Sequence, residues 1–147
     1  MAKNVYPFFK LPNEPPRPWV PVLVTNVTTG KSLIVMALLD TGADKCLFPK
    51  TIADQLGVAD FKADAISTDE MQGVGENKIP VWVHRFKIDL MSPDRKTTVW
   101  KGKEVDVACV EHNNIPAILG FNNFMTHFKI TFNHATKKIL MDDCPII

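Results

Sequence analysis

Short apolar runs separated by polar turns dominate the pattern of this chain. From Trp19 the stretch WVPVLVTNV is β-branched and apolar, TTGK (Thr28 to Lys31) is a polar turn, and SLIVMALLD returns as a second apolar run. Two such runs across a short glycine-containing turn predict a β-hairpin. FPKTIADQLG predicts a short helix: Pro49 suits a first helical position, Ile52, Ala53 and Leu56 share one face, and Gly57 is a stop. The polar stretch Ser67 to Pro80, with Gly73 and Gly75, predicts a loop. In VWVHRFKIDL, Trp82, His84, Phe86, Ile88 and Leu90 alternate with Val81, Val83, Arg85, Lys87 and Asp89, which predicts a strand with one buried face.

SPDRK then predicts a turn, and TTVWKGKEVDVACV a strand, turn and strand. IPAILGFNNFMTHF reads as an apolar strand, a glycine and a second short helix. KITFNHATKKILM reads as a closing hairpin that turns at Asn133 to Lys137. There is no internal repeat. Many short strands and two short helices predict a mainly-β barrel or sandwich.

Residues 1–18 differ from the rest. They hold Pro7, Pro12, Pro15, Pro16 and Pro18, a density that excludes helix and makes poor strand. The expectation is an extended, proline-rich N-terminal arm leading into one domain over residues 19–147, and 147 residues fit a single domain. The 46% hydrophobic and 22% charged fractions are those of an ordinary globular protein. A formal net charge of +1 without a long run of one sign argues against nucleic-acid and anionic-membrane partners.

No run approaches 18 apolar residues, so no membrane span is expected. The start, MAKNVYPFFKLPNEPP, lacks the apolar core of a signal peptide. Cys46, Cys109 and Cys144 are odd in number and show no metal spacing, so free thiols in a reducing cytoplasm are expected. Without a secretion signal, the glycosylation acceptor at Asn26-Val27-Thr28 is read as unused. His84, His112, His127 and His134 have no ligand rhythm, and neither a metal nor a cofactor is expected.

The second apolar run drives straight into a carboxylate, in MALLDTGADKCLFPK. Burying a charge is costly unless something offsets it. Asp40 is therefore either a turn residue closing a core strand or a group placed for chemistry. Thr41 adds a hydroxyl, and Gly42 lets another backbone come close. One carboxylate cannot be acid and base at the same moment, so acid–base hydrolysis of a peptide bond through an activated water wants two. At about 3 Å and an effective dielectric near 20, two charges repel by roughly 5 kcal/mol, so such a pair holds one proton between them. The chain has a single Asp-Thr-Gly. The second carboxylate comes from Asp44, the nearest in sequence, or from Asp40 of a second copy at a two-fold axis, the better source.

ALLDTGAD, a glycine-containing hairpin loop about 30 residues on and AILG about 80 residues on form an ordered trio that resembles the retropepsin-like aspartic proteases. FPKTIADQLG and the ending FKITFNHATKKILM resemble their bacterial branch. The resemblance covers roughly Trp19 to Met141 and implies a retropepsin-like closed β-barrel with one or two short helices, one lobe of a two-fold homodimer. It implies an aspartic endopeptidase acting on a polypeptide substrate, with Asp40 catalytic. Thr41 and Gly42 support the active loop. Ala43 and Asp44 bind substrate, as do Gly73, Val74 and Gly75 at a flap tip. Ile118, Leu119 and Gly120 form a strand behind the active loop. In the family the termini often build the dimer interface, which implicates the N-terminal arm and Cys144 to Ile147.

One position departs from the pattern. Many relatives carry arginine after the last glycine, paired with the aspartate equivalent to Asp44. This chain has Phe121, which leaves Arg85 or a lysine as the replacement. The departure supports an alternative, a catalytically inactive dimeric peptide-binding or scaffold domain of the same fold. A further alternative is a β-rich interaction protein whose Asp-Thr-Gly is coincidental.

Overall fold

The computed structural model describes residues 4–72 and 77–143. In chain order the elements are β1 (Asn4–Pro7), β2 (Trp19–Thr25), β3 (Ser32–Leu39), β4 (Leu47–Pro49), α1 (Lys50–Gln55), β5 (Ser67–Gln72), β6 (Lys78–Met91) and β7 (Thr98–Trp100). They continue with β8 (Glu104–Val110), β9 (Ile118–Leu119), a 3-10 turn (Met125–His127), β10 (Phe128–Asn133) and β11 (Lys138–Asp143).

Six strands close on themselves. The order β2-β3-β9-β4-β8-β6 returns to its start because β6 also pairs with β2, in register Val22↔Leu90 to Thr25↔Lys87. The length of β6 makes this possible. Its middle, Trp82 to Lys87, pairs with β8, while its C-terminal end reaches β2. The ring is a closed barrel, which leaves no free edge among these six strands. Alternation fills it. Val20, Val22 and Val24 of β2 and Phe86, Ile88 and Leu90 of β6 are sealed from solvent, together with Phe48 and Leu119. Fully burying each such side chain contributes about 1.5–3 kcal/mol.

The helix α1 lies against this core with Ile52, Ala53 and Leu56 buried. Pro49 caps it rather than opening it, and Gly57 ends it at φ +82°. The Leu56 carbonyl accepts from Asn26 Nδ2 at 3.0 Å and Thr29 Oγ1 at 2.8 Å, so the β2–β3 turn satisfies the helix end. Asn26 is buried in that role.

Three expectations from the pattern are corrected. The proline-rich arm contributes a strand: β1 pairs antiparallel with β11 at the edge of a three-stranded sheet, β1-β11-β10. Pro7 is tolerated because it ends an edge strand, and the other prolines lie beyond it. Tyr6 is buried and its hydroxyl donates to the Met91 carbonyl at 2.6 Å. The stretch predicted as a loop, 67–80, instead supplies β5 and the start of β6, paired from Ser67↔Val83 to Gln72↔Lys78. Its residues are mostly exposed, so no hydrophobic alternation marked it. The second predicted helix is a single 3-10 turn.

Buried His84 donates from Nε2 to the Phe61 carbonyl at 2.8 Å and stacks on Phe61 and Phe86. Trp82, expected on the same buried face, is only partly covered. Its neighbour Val81 packs with Ala108 and Val110 in a second small cluster.

Candidate active site

β9 is two residues long and ties both limbs of one loop. On one side it runs parallel to β3, with Leu38↔Ile118 and Leu39↔Leu119. On the other, Leu47 of β4 faces Ile118. Between those limbs lie residues 40–46. The ladder extends to Asp40, whose N–H donates to the Leu119 carbonyl at 3.1 Å. The chain then turns tightly: Ala43 N–H donates to the Asp40 carbonyl at 3.1 Å, and Gly42 N–H to Asp40 Oδ1 at 2.9 Å. That backbone donor orients the carboxylate. A Cβ on Gly42 would stand 3.3 Å from the same oxygen, so glycine keeps the approach open.

The descending limb is pinned as well. The carbonyls of Ala43 and Asp44 accept from Phe121 N–H and Asn122 N–H, each at 3.0 Å. A Cβ on Gly120 would lie 2.5 Å from the Lys45 carbonyl oxygen and 2.8 Å from that of Ala43, so no side chain fits there. Leu119 and Gly120 are buried behind the loop. Asp40 is partly buried, whereas Thr41 and Gly42 are exposed at the tip.

The loop forms one wall of a cleft of 1010 Å³, contributing Asp40, Gly42, Ala43, Asp44 and Lys45. The whole of β5 forms the facing wall, and Val81, Val83, Ala108 and Ile118 give the cleft an apolar floor. The walls touch through an exposed ion pair, Lys45 Nζ to Asp69 Oδ2 at 3.6 Å. The Glu70 N–H donating to Asp69, and then Lys45, hold the Asp69 carboxyl below its ordinary range. Asp69 is fully exposed, so this marks local geometry rather than stability.

The sequence-predicted residues divide accordingly. Asp40, Gly42, Ala43, Asp44 and Ile118 meet in the cleft, whereas Thr41, Leu119 and Gly120 do not line it. Gly73, Val74 and Gly75 lie outside the described residues, as do Cys144 to Ile147. Arg85 does not replace the missing arginine: it pairs with Asp106 across β6 and β8, Nε to Oδ1 at 3.1 Å. Sequence reasoning missed Lys45, Asp106, Asn122 and Asn123, which line the cleft. None of the four carried a local signal: Asp106, for one, comes beside Arg85 only through the β6–β8 register.

Cys46, just behind the loop, is buried, and burial pushes its thiol up to about 11. Among the described residues, no second carboxylate is hydrogen-bonded to Asp40, and no group of three or more metal-binding side chains occurs. No helix among them is long and apolar enough to cross a membrane.

No protein-family model matches the sequence, and no curated protein does. Solved structures do. A retropepsin-like aspartic protease from Rickettsia conorii is similar at 13% identity over 95% of this chain and 90% of its own, with a TM-score of 0.62. The retroviral protease-like domain of Ddi1 from Leishmania major is similar at 14% identity, over 86% and 93%, with a TM-score of 0.47. The protease of simian foamy virus (mac) is similar at 13% identity, over 71% and 89%, with a TM-score of 0.43. The first alone carries the assignment: this chain has a retropepsin-like fold.

Proposed function

We propose that the chain is an aspartic endopeptidase active as a homodimer, in which the Asp40 carboxyls of two protomers share one proton and activate a water between them. One observation carries this reading. Asp40 is pinned at a strand end, oriented by the Gly42 N–H, and set in a cleft long enough to be walled by six residues of β5. A carboxylate that served only to close a turn would not need that cleft. The likeness to the Rickettsia conorii protease supports the same choice.

The chemistry follows from sharing the proton. The ionised carboxyl takes a proton from water as the oxygen attacks the peptide carbonyl. The protonated carboxyl donates to the carbonyl oxygen, and the tetrahedral intermediate collapses as the amide nitrogen is protonated. The two apparent pKa values belong to the pair. In this reading an extended peptide lies in the cleft between the active loop and β5, its apolar side chains against the floor. The buried free thiols Cys46 and Cys109 support a reducing, cytoplasmic setting.

The test compares cleavage of an unfolded protein by wild type and Asp40→Asn across about pH 4–7. Wild type should cut, with a bell-shaped pH profile, and the variant should be slower by about 10³-fold or more. Equal traces from two dimeric proteins would instead favour the inactive peptide-binding domain, the reading that Phe121 supports. A stable monomer at tens of micromolar would count against both.

A further inference from the structure

Among the described residues, the cleft is lined by the carboxylates of Asp40, Asp44, Asp69, Glu70 and Asp106 against one cation, Lys45. Three of these carboxylates have a cation of their own chain. Lys45 meets Asp69 at 3.6 Å, Lys78 meets Glu70 at 3.9 Å, and Arg85 meets Asp106 at 3.1 Å. Asp40 is committed to the reaction in the reading above. That leaves Asp44. Its backbone is fixed by Asn122, its side chain is exposed on the loop wall, and no cation of the described residues lies within 4.0 Å of it. Phe121, which follows Gly120, brings no charge, and Arg85 is engaged elsewhere.

We infer that the cleft selects peptides carrying a lysine or arginine close to the bond that is cut, with Asp44 as the carboxylate that receives it. The reference to a cut bond rests on the protease reading; the preference for a cation does not. While the cleft is empty, water solvates Asp44 and its charge is inexpensive. An extended peptide laid against the loop displaces that water, which strengthens attraction for a cation. A guanidinium can meet the carboxylate with two parallel hydrogen bonds. The other cleft charges add a field of the same sign, because their partners only partly offset them. A glutamate-rich peptide is disfavoured for the same reason.

The test uses the full chain with Asp40→Asn, so that bound peptide stays intact. Two fluorescently labelled pools of decapeptides share one apolar framework, one pool carrying lysine and the other glutamine at alternate positions. Anisotropy should show the lysine pool binding about tenfold tighter at low salt, with the ratio falling towards one near about 0.5 M salt. In Asp40→Asn/Asp44→Asn the low-salt ratio should fall to about twofold or less. Equal affinities at low salt, or a ratio unchanged by Asp44→Asn, would overturn the inference. Cleavage of the same pools by wild type is read separately. Cutting without a basic preference would sink this inference and leave the protease standing. A basic preference in binding without any cutting would do the reverse.

Discussion

A Cβ placed on Gly120 would stand 2.5 Å from the carbonyl oxygen of Lys45, so the strand behind the loop and the loop itself are in backbone contact. Backbone cannot step aside as a side-chain tip can. Gly120→Ala is expected to destabilise by about 1–3 kcal/mol, the range for an overpacked site. A lower urea midpoint with an unchanged slope would show it. Gly42→Ala is the contrast. Its Cβ would meet only Asp40 Oδ1, at 3.3 Å, so it should leave the midpoint nearly unchanged while lowering cleavage. Equal midpoints for Gly120→Ala and wild type would contradict the packing described.

Tyr6 anchors the N-terminal arm to the body. Its ring is buried and its hydroxyl donates to the Met91 carbonyl. Tyr6→Phe leaves that carbonyl without its donor, a loss of about 1–2 kcal/mol. Tyr6→Ala also leaves a cavity and should cost about 3–5 kcal/mol. Denaturant unfolding of the two variants separates the hydroxyl from the ring. If Tyr6→Ala unfolds at the wild-type midpoint, β1 is dispensable and the arm is only a lead-in.

What the sequence revealed of this site depended on whether a residue's neighbours lay along the chain or across it. The β2–β3 hairpin, α1 and the closing hairpin were readable because their turn residues and apolar periods are local. So was the place of Asp40 at the end of a strand, since it interrupts an apolar run. β1 was hidden because its partner, β11, is more than 130 residues away and its prolines argue against strand. β5 was hidden because an exposed strand has no dry face to set a period of two. The partner of Arg85 was out of reach as well, since the pairing of β6 with β8 and its register, Arg85↔Asp106, are set by the fold. Lys45, in the active loop, and Asp69, within β5, are brought together only by the folded barrel.

Cys46 and Cys109 are buried, and burial pushes their thiols up to about 11 and about 12. An unfolded thiol ionises near about 8.5. As pH rises above that value the unfolded state ionises while the folded state does not, so this contribution is intact below it and is lost as pH climbs towards 11. Iodoacetamide at about pH 8 should therefore leave both residues unmodified in the folded protein and label them in urea. Peptide mapping by mass reads each site. The urea midpoint of Cys46→Ala should also fall less than that of wild type between about pH 8 and 10. Rapid labelling of Cys46 without denaturant would mean that the region behind the loop opens readily.

The Lys45–Asp69 pair bridges the active loop and β5, and its behaviour with pH has a definite sign. Asp69 is held low first by the Glu70 N–H, at 2.8 Å, and then by Lys45. The lowered value keeps Asp69 ionised, and so able to meet Lys45, at and above the ordinary carboxylate value of about 3.9. The attraction is lost only as pH falls through the lowered value. The contact between loop and β5 should thus persist across about pH 4–7, where an aspartyl pair would work. Lys45→Ala should raise the Asp69 value while leaving it below the ordinary one, because the Glu70 donor remains. Carboxyl carbon NMR titration of the two proteins makes the measurement. No change on removing Lys45 would mean that the pair does not form in solution, and a complete return to the ordinary value would mean that the Glu70 N–H is not the larger influence.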